Sequence, residues 1–171
     1  MERLRADRLH QGHNFDLVRG VYRREGGEEV ERDVVEHPGS VAIVAHDEES
    51  VFLIRQPREA IADDALVEVP AGTLEPDEGA LDCARRELRE EAGLSAEHWE
   101  ELHVVYPSPG YASEVQAIFL ATGLSRGETE PDDDERIEVV PWPLAELDRA
   151  IRELRDATTL VGLMMLRERL R

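Results

Sequence analysis

Three glutamates, Glu87, Glu90 and Glu91, crowd the end of the stretch GTLEPDEGALDCARRELREEAGL, residues 72 to 94. The spacings of three and four residues put their carboxylates in one quadrant of a helix. Like charges held so close oppose an isolated helix by a few tenths of a kcal/mol (roughly 0.2–0.5), and a bound cation reverses that sign. Carboxylate oxygens are hard donors, suited to Mg²⁺ or Mn²⁺ rather than to zinc. The competing reading is an ordinary solvated helix in which pairs such as Arg86 and Glu90 contribute about 0.2–0.5 kcal/mol each.

Those side chains need a helix to carry them. Asp77 or Glu78 favours its N-terminus, Gly93 supplies its stop, and Leu81, Ala84, Leu88 and Ala92 form one apolar stripe. Glu87 and Glu91 border that stripe, which sets them where the helix meets the domain rather than in bulk water. Around the helix the chain reads mainly as short strands. NFDLVRGVYR and EEVERDVVEH flank EGG as a hairpin; SVAIVAH and SVFLIRQ form a more buried second hairpin across DEE; ALVEV, ELHVVY, VQAIFLA and IEVVPW supply the remainder. Two helical patterns follow Pro143, and TLVGLMMLRERL is the more apolar. The expectation is an α/β or α+β sandwich.

Composition narrows the function. Thirty-nine Asp and Glu face 20 basic residues, every one of them Arg, for a formal charge of -19. That field repels polyanions, and no basic stripe offsets it, so nucleic acid is not expected as a partner. No run of 18 apolar residues and no secretory h-region occur, so no membrane partner is expected and the chain reads as cytoplasmic. Cys83 is the single cysteine and reads as packing. His10, His13, His37, His46, His98 and His103 show no metal-ligand spacing.

The full stretch resembles the signature of the Nudix hydrolases: Gly72, Glu78, Arg86, Glu87, Leu88, Glu90, Glu91, Gly93 and Leu94 occupy every fixed position. Three features outside it resemble the ADP-ribose pyrophosphatase branch: Pro109 in PSPGYASE, sixteen residues after Gly93; the lead-in LVEVPAG; and VVEHPGSVAIVA running to IRQPRE. Pro57 and the YASE segment depart from the branch's usual residues. The resemblance implies a Nudix-type α/β/α sandwich with a mixed sheet over residues 37–171, preceded by an N-terminal β-hairpin segment over residues 1–36 that pairs in a homodimer and completes the partner's adenine site.

The resemblance also implies roles. Glu87 and Glu91 ligate Mg²⁺, or Mn²⁺ in its place; Glu90 assists through metal or water; the Ala71 carbonyl adds an oxygen; and Glu78 braces Arg86. Arg55 and Arg58 are candidates for the substrate phosphates, Phe15 or Tyr22 for stacking on the base, and Pro109, Tyr111 and Glu114 for further substrate contacts. Ligating oxygens are poor proton acceptors, so the base is expected in the acidic loop ETEPDDDERIEV, Glu135 first and Asp133 second. The implied reaction is hydrolysis of ADP-ribose to AMP and ribose 5-phosphate. Another nucleoside diphosphate sugar is the alternative substrate. A non-catalytic ADP-ribose sensor is the alternative of another class, and its usual sign, loss of a box glutamate, does not occur.

Overall fold

A computed structural model describes residues 1–127 and 136–171, and within them the chain divides into two compact units, residues 1–39 with 106–116 and residues 40–105 with 117–171. In the first unit, β1 (Glu2–Gln11), β2 (Asp16–Arg23) and β3 (Glu29–Glu36) form an antiparallel sheet in that order. Gly26 and Gly27 turn between β2 and β3 with φ of 100° and 87°, values that L side chains rarely adopt. The expected hairpin is β2 with β3, and β1 adds a third strand beside β2. All ten residues of β1 are exposed, so no apolar alternation marks the strand; backbone pairing with β2 creates it. The segment 106–116 is tied to β3. The Val35 N–H donates to the Tyr111 carbonyl at 2.8 Å, and the Ser113 N–H to the Val35 carbonyl at 2.9 Å.

The second unit is built on a seven-stranded mixed sheet. Its main path is β10 (Glu138–Pro143), β5 (Ser50–Arg58), β4 (Ser40–His46), β9 (Gln116–Arg126) and β8 (Leu94–Val105); β6 (Asp63–Glu68) adds to β5, and β7 (Ala71–Thr73) adds to β4. The period-two alternation of strands decides what each face covers. Val41, Ile43, Ala45, Phe52, Ala117 and Phe119 pack with Cys83, Ala84, Leu88 and Ala92 of α1 (Ala80–Ala92). Ala42, Val44, Val51, Leu53, Ile118 and Leu120 point the other way, onto α2 (Leu147–Glu153) and α3 (Ala157–Arg169). Helices thus cover both faces, the sandwich that the signature implies.

α3 comes unusually close to the sheet. A Cβ on Gly162 would lie 2.7 Å from Val44 Cγ2, so only glycine fits this contact. Among the described residues no helix is long and apolar enough to cross a membrane.

Candidate active site

α1 begins after Gly79 and ends at Gly93, whose φ of 61° and N–H to the Arg89 carbonyl close the helix in the left-handed cap that glycine favours. Its apolar stripe is buried: Ala84 and Leu88 are fully inaccessible and Ala92 is 7% exposed. Burial of that stripe draws the bordering glutamates inward. Glu91 is 4% exposed, and its Oε2 accepts the Ala71 N–H at 2.8 Å. This hydrogen bond joins the helix to the start of β7, where the chain leaves Pro70.

Gly72 makes room for Glu87. A Cβ built there would lie 1.8 Å from Glu87 Oε1 and 1.9 Å from its Cδ, so the carboxylate fills space that any side chain at residue 72 would take.

Arg86 holds the cluster together. Its Nε and Nη2 each lie 2.9 Å from an oxygen of Glu78, a two-pronged pair; Nη1 reaches Glu87 at 2.7 Å and Glu90 at 3.0 Å; and Nη2 also donates to the Thr73 carbonyl at 3.2 Å. One guanidinium therefore contacts three carboxylates, offsetting one of their three charges, and ties the β7–α1 loop to the helix. The hydrogen bond from Arg86 lowers the Glu78 pKa to about 2, helped by the Glu75 N–H and opposed by burial. The Arg86 pKa is raised in turn, Glu78 again being the first cause.

The Glu78 shift sets a pH dependence. Because the folded pKa lies below the ordinary 4.5, the contribution of Glu78 to stability is fully present above pH 4.5 and is lost as pH falls toward about 2. Glu78→Gln is expected to cost about 1–3 kcal/mol at pH 7. The difference from the parent protein should shrink steadily below pH 4.5, which chemical denaturation across that range measures. A difference that did not change with pH would show that charge is not what Glu78 contributes.

Cys83 is buried beside this cluster and donates to the Thr73 carbonyl at 3.5 Å. Burial, with Glu78 and Glu87 nearby, pushes its pKa up to about 12, so it stays a thiol rather than a nucleophile.

Two arginines proposed for phosphate binding are engaged in ion pairs. Arg55 Nη1 meets Glu138 at 2.5 Å across the β5–β10 ladder, where the two residues are register partners. Arg58 Nη2 lies 2.8 Å from Glu68, and the Gln56 amide adds a hydrogen bond at 3.3 Å. Glu68, 7% exposed, was legible only as part of LVEVPAG, with no sign that it would be buried among Gln56 and Arg58. Burial raises its pKa, Arg58 opposes the shift, and Asp156 adds to it.

The remaining candidates lie in the first unit. Pro109 and Tyr111 line a cavity of about 240 Å³ with Tyr22 and Arg32, and Phe15 lines another of about 500 Å³ with His13 and His37. Glu114 is half-buried on the same 106–116 segment. Glu135 and Asp133 lie outside the described residues.

The donor set suits a divalent cation: carboxylates of Glu87, Glu90 and Glu91 from one helix, the Ala71 carbonyl from the strand that Glu91 grips, and a glycine cradle under Glu87. Among the described residues no three acidic, His or Cys side chains are already arranged as a metal cage. Arg86 pairs with two of these carboxylates, Glu87 and Glu90.

A sandwich with this glutamate helix against a glycine turn defines a family, and the chain belongs to it: the model of the NUDIX domain matches residues 36–160. Relatives named ADP-ribose pyrophosphatase include two with long matches. One, from Bacillus subtilis (strain 168), is 34% identical over 165 residues, covering 94% of this chain and 89% of that protein. The other, from Mycobacterium tuberculosis (strain ATCC 25618 / H37Rv), is 39% identical over 154 residues, covering 88% and 74%. The fold is similar to a crystal structure titled ADP compounds hydrolase, with a TM-score of 0.82 and 24% identity over 99% of this chain and 93% of that one.

Proposed function

We propose that the chain hydrolyses ADP-ribose to AMP and ribose 5-phosphate with Mg²⁺, or with Mn²⁺ in its place. The observation that carries this reading is the α1 cluster, in which Glu87 lies in the Gly72 cradle and Glu91 on the Ala71 N–H. The two ADP-ribose pyrophosphatases support the choice of substrate.

Glu87, Glu91, Glu90 and the Ala71 carbonyl would hold the cation, which when bound neutralises charge building on the phosphates and acidifies water. Water oxygen bonds to one phosphorus, the anhydride P–O bond breaks, and the bridging oxygen leaves with the other phosphate. The water proton passes to a carboxylate, for which Glu135 is the first proposal and Asp133 the second, on sequence grounds. Arg58 and Arg55 are proposed to bind the phosphates, trading Glu68 and Glu138 for substrate oxygens. We place the reaction in the cytoplasm.

The test is a panel of ADP-ribose, ADP-glucose, diadenosine compounds and nucleoside triphosphates, each with Mg²⁺. Highest kcat/KM on ADP-ribose, abolished by chelation, is expected; a triphosphate turned over far better would overturn the substrate assignment.

A homodimer is proposed with it. Among the described residues of the first unit, Val18 is the one buried hydrophobic side chain, while Leu4, Leu9 and Phe15 are exposed. Three strands with so little core are marginal alone, and solvent-exposed pairs such as Arg19 with Asp33 add little to their stability. Light scattering should give twice the 19.3 kDa chain mass; a fully active monomer would refute the pairing.

A further inference from the structure

We propose that Thr159, on α3, is a positioning residue for the cation-binding oxygens: its hydroxyl fixes the Val69–Pro70–Ala71 segment and so aims the Ala71 carbonyl beside Glu91. The proposal rests on the metal reading given above. Between β6 and β7 the chain changes partner, from β5 to β4, and at Val69 and Pro70 it belongs to neither strand. Val69 is 1% exposed, so its N–H has no access to bulk water there. A buried amide left unpaired is expensive, and the sheet offers no acceptor at this step.

The acceptor comes from 90 residues away. Thr159 Oγ1 lies 2.9 Å from the Val69 nitrogen, and Thr159 is fully buried. The next two residues are held by other elements: the Pro70 carbonyl accepts the Ile43 N–H of β4 at 2.8 Å, and the Ala71 N–H donates to Glu91 of α1 at 2.8 Å. Three successive residues are thus pinned to α3, β4 and α1. Pro70, whose ring fixes φ, lets little rotation absorb a shift between them. Of the three anchors, Thr159 is the one made by a side chain outside the glutamate cluster.

The helix that delivers the hydroxyl is itself held in place. Asp156 caps it, accepting the Thr159 N–H at 2.7 Å; Gly162 lies against Val44; Leu163 and Leu166 are fully buried. The Asp156 cap takes the Thr159 N–H, and the Thr159 hydroxyl oxygen accepts the Val69 N–H. Valine has the same shape but cannot accept the hydrogen bond, whereas serine keeps the hydroxyl and loses only the methyl group.

The experiment compares Thr159→Val and Thr159→Ser with the parent, reading Mn²⁺ binding by titration calorimetry without substrate, then kcat and KM for ADP-ribose. Groups that orient metal ligands typically contribute 10–100-fold to metal affinity or activity. Thr159→Val is expected to bind Mn²⁺ about tenfold more weakly and to lower kcat about tenfold, with KM at saturating metal little changed; Thr159→Ser should restore both. Should the valine variant not fold, Thr159→Ala takes its place in the same comparison. Parental Mn²⁺ affinity and kcat in the valine or alanine variant would overturn the proposal while leaving the metal site standing. A serine variant as impaired as valine would overturn it too, since the methyl packing would then be what matters. A parent protein that binds no Mn²⁺ would remove both this proposal and the metal reading beneath it.

Discussion

Gly72→Ala is expected to lower kcat/KM on ADP-ribose by about 10²-fold or more while the protein stays folded. The added Cβ would sit 1.8, 1.9 and 2.6 Å from Oε1, Cδ and Cγ of Glu87, distances at which atoms cannot coexist. Every one of those atoms belongs to a flexible side chain, so Glu87 moves and the backbone does not. Gly72 does not adopt a positive φ, and alanine can take its backbone conformation without strain. The change even removes some disorder from the unfolded chain, a gain of about 0.4–1 kcal/mol that offsets part of the cost. What is lost is the placement of a carboxylate, and removing one preorganised charge from such a site costs on the order of 10²–10³ in rate. Kinetics and a thermal melt on the same preparation check it. A melting temperature close to the parent's with activity within tenfold would mean that Glu87 is not needed where the structure puts it.

Much of the second unit was readable because its sequence is locally consistent. SVAIVAH and SVFLIRQ are apolar and β-branched, and they become β4 and β5, buried on both faces as such runs must be. The stripe Leu81, Ala84, Leu88, Ala92 and the stop at Gly93 locate α1 to within a residue or two. What escaped is what non-local hydrogen bonding creates. β1 has no buried face to leave a pattern, β7 is three residues long, and 106–116 is tied down by two hydrogen bonds at Val35 of β3 and one at His37 just after it. β8 begins at Leu94, well before the ELHVVY run that marks it in sequence, because SAEHWEE is largely exposed along the sheet edge.

The site divides in the same way. Spacing alone puts Glu87, Glu90 and Glu91 together, since a helix fixes that geometry. Spacing does not show that Arg86 spans all of Glu78, Glu87 and Glu90, nor that Glu91 grips a backbone N–H twenty residues earlier. Arg58 with Glu68, Arg55 with Glu138 and Val69 with Thr159 lie 10, 83 and 90 residues apart, and each depends on which strands and helices become neighbours. A pattern of residue types carries no trace of such pairings until the sheet order is known.

Glu91→Gln separates the electrostatic role of the cluster from its structural one. The Glu91 carboxylate is 4% exposed and accepts the Ala71 N–H, and a glutamine oxygen can accept the same hydrogen bond with almost no change in shape. The link between α1 and β7 therefore survives. The variant loses the negative charge, which is costly to bury and stands four residues from Glu87 on the same helix face. Without metal, the melting temperature should equal or exceed the parent's. With metal, a direct oxygen ligand has become a neutral one, and kcat/KM should fall by about 10² or more, with Mg²⁺ needed at higher concentration. Glu91→Ala provides the contrast, because it also leaves the Ala71 N–H without its acceptor and should lose about 1–3 kcal/mol of stability that glutamine retains. Near-parental turnover by Glu91→Gln at ordinary Mg²⁺ would remove Glu91 from the ligand set and leave it as the brace of the Ala71 turn alone.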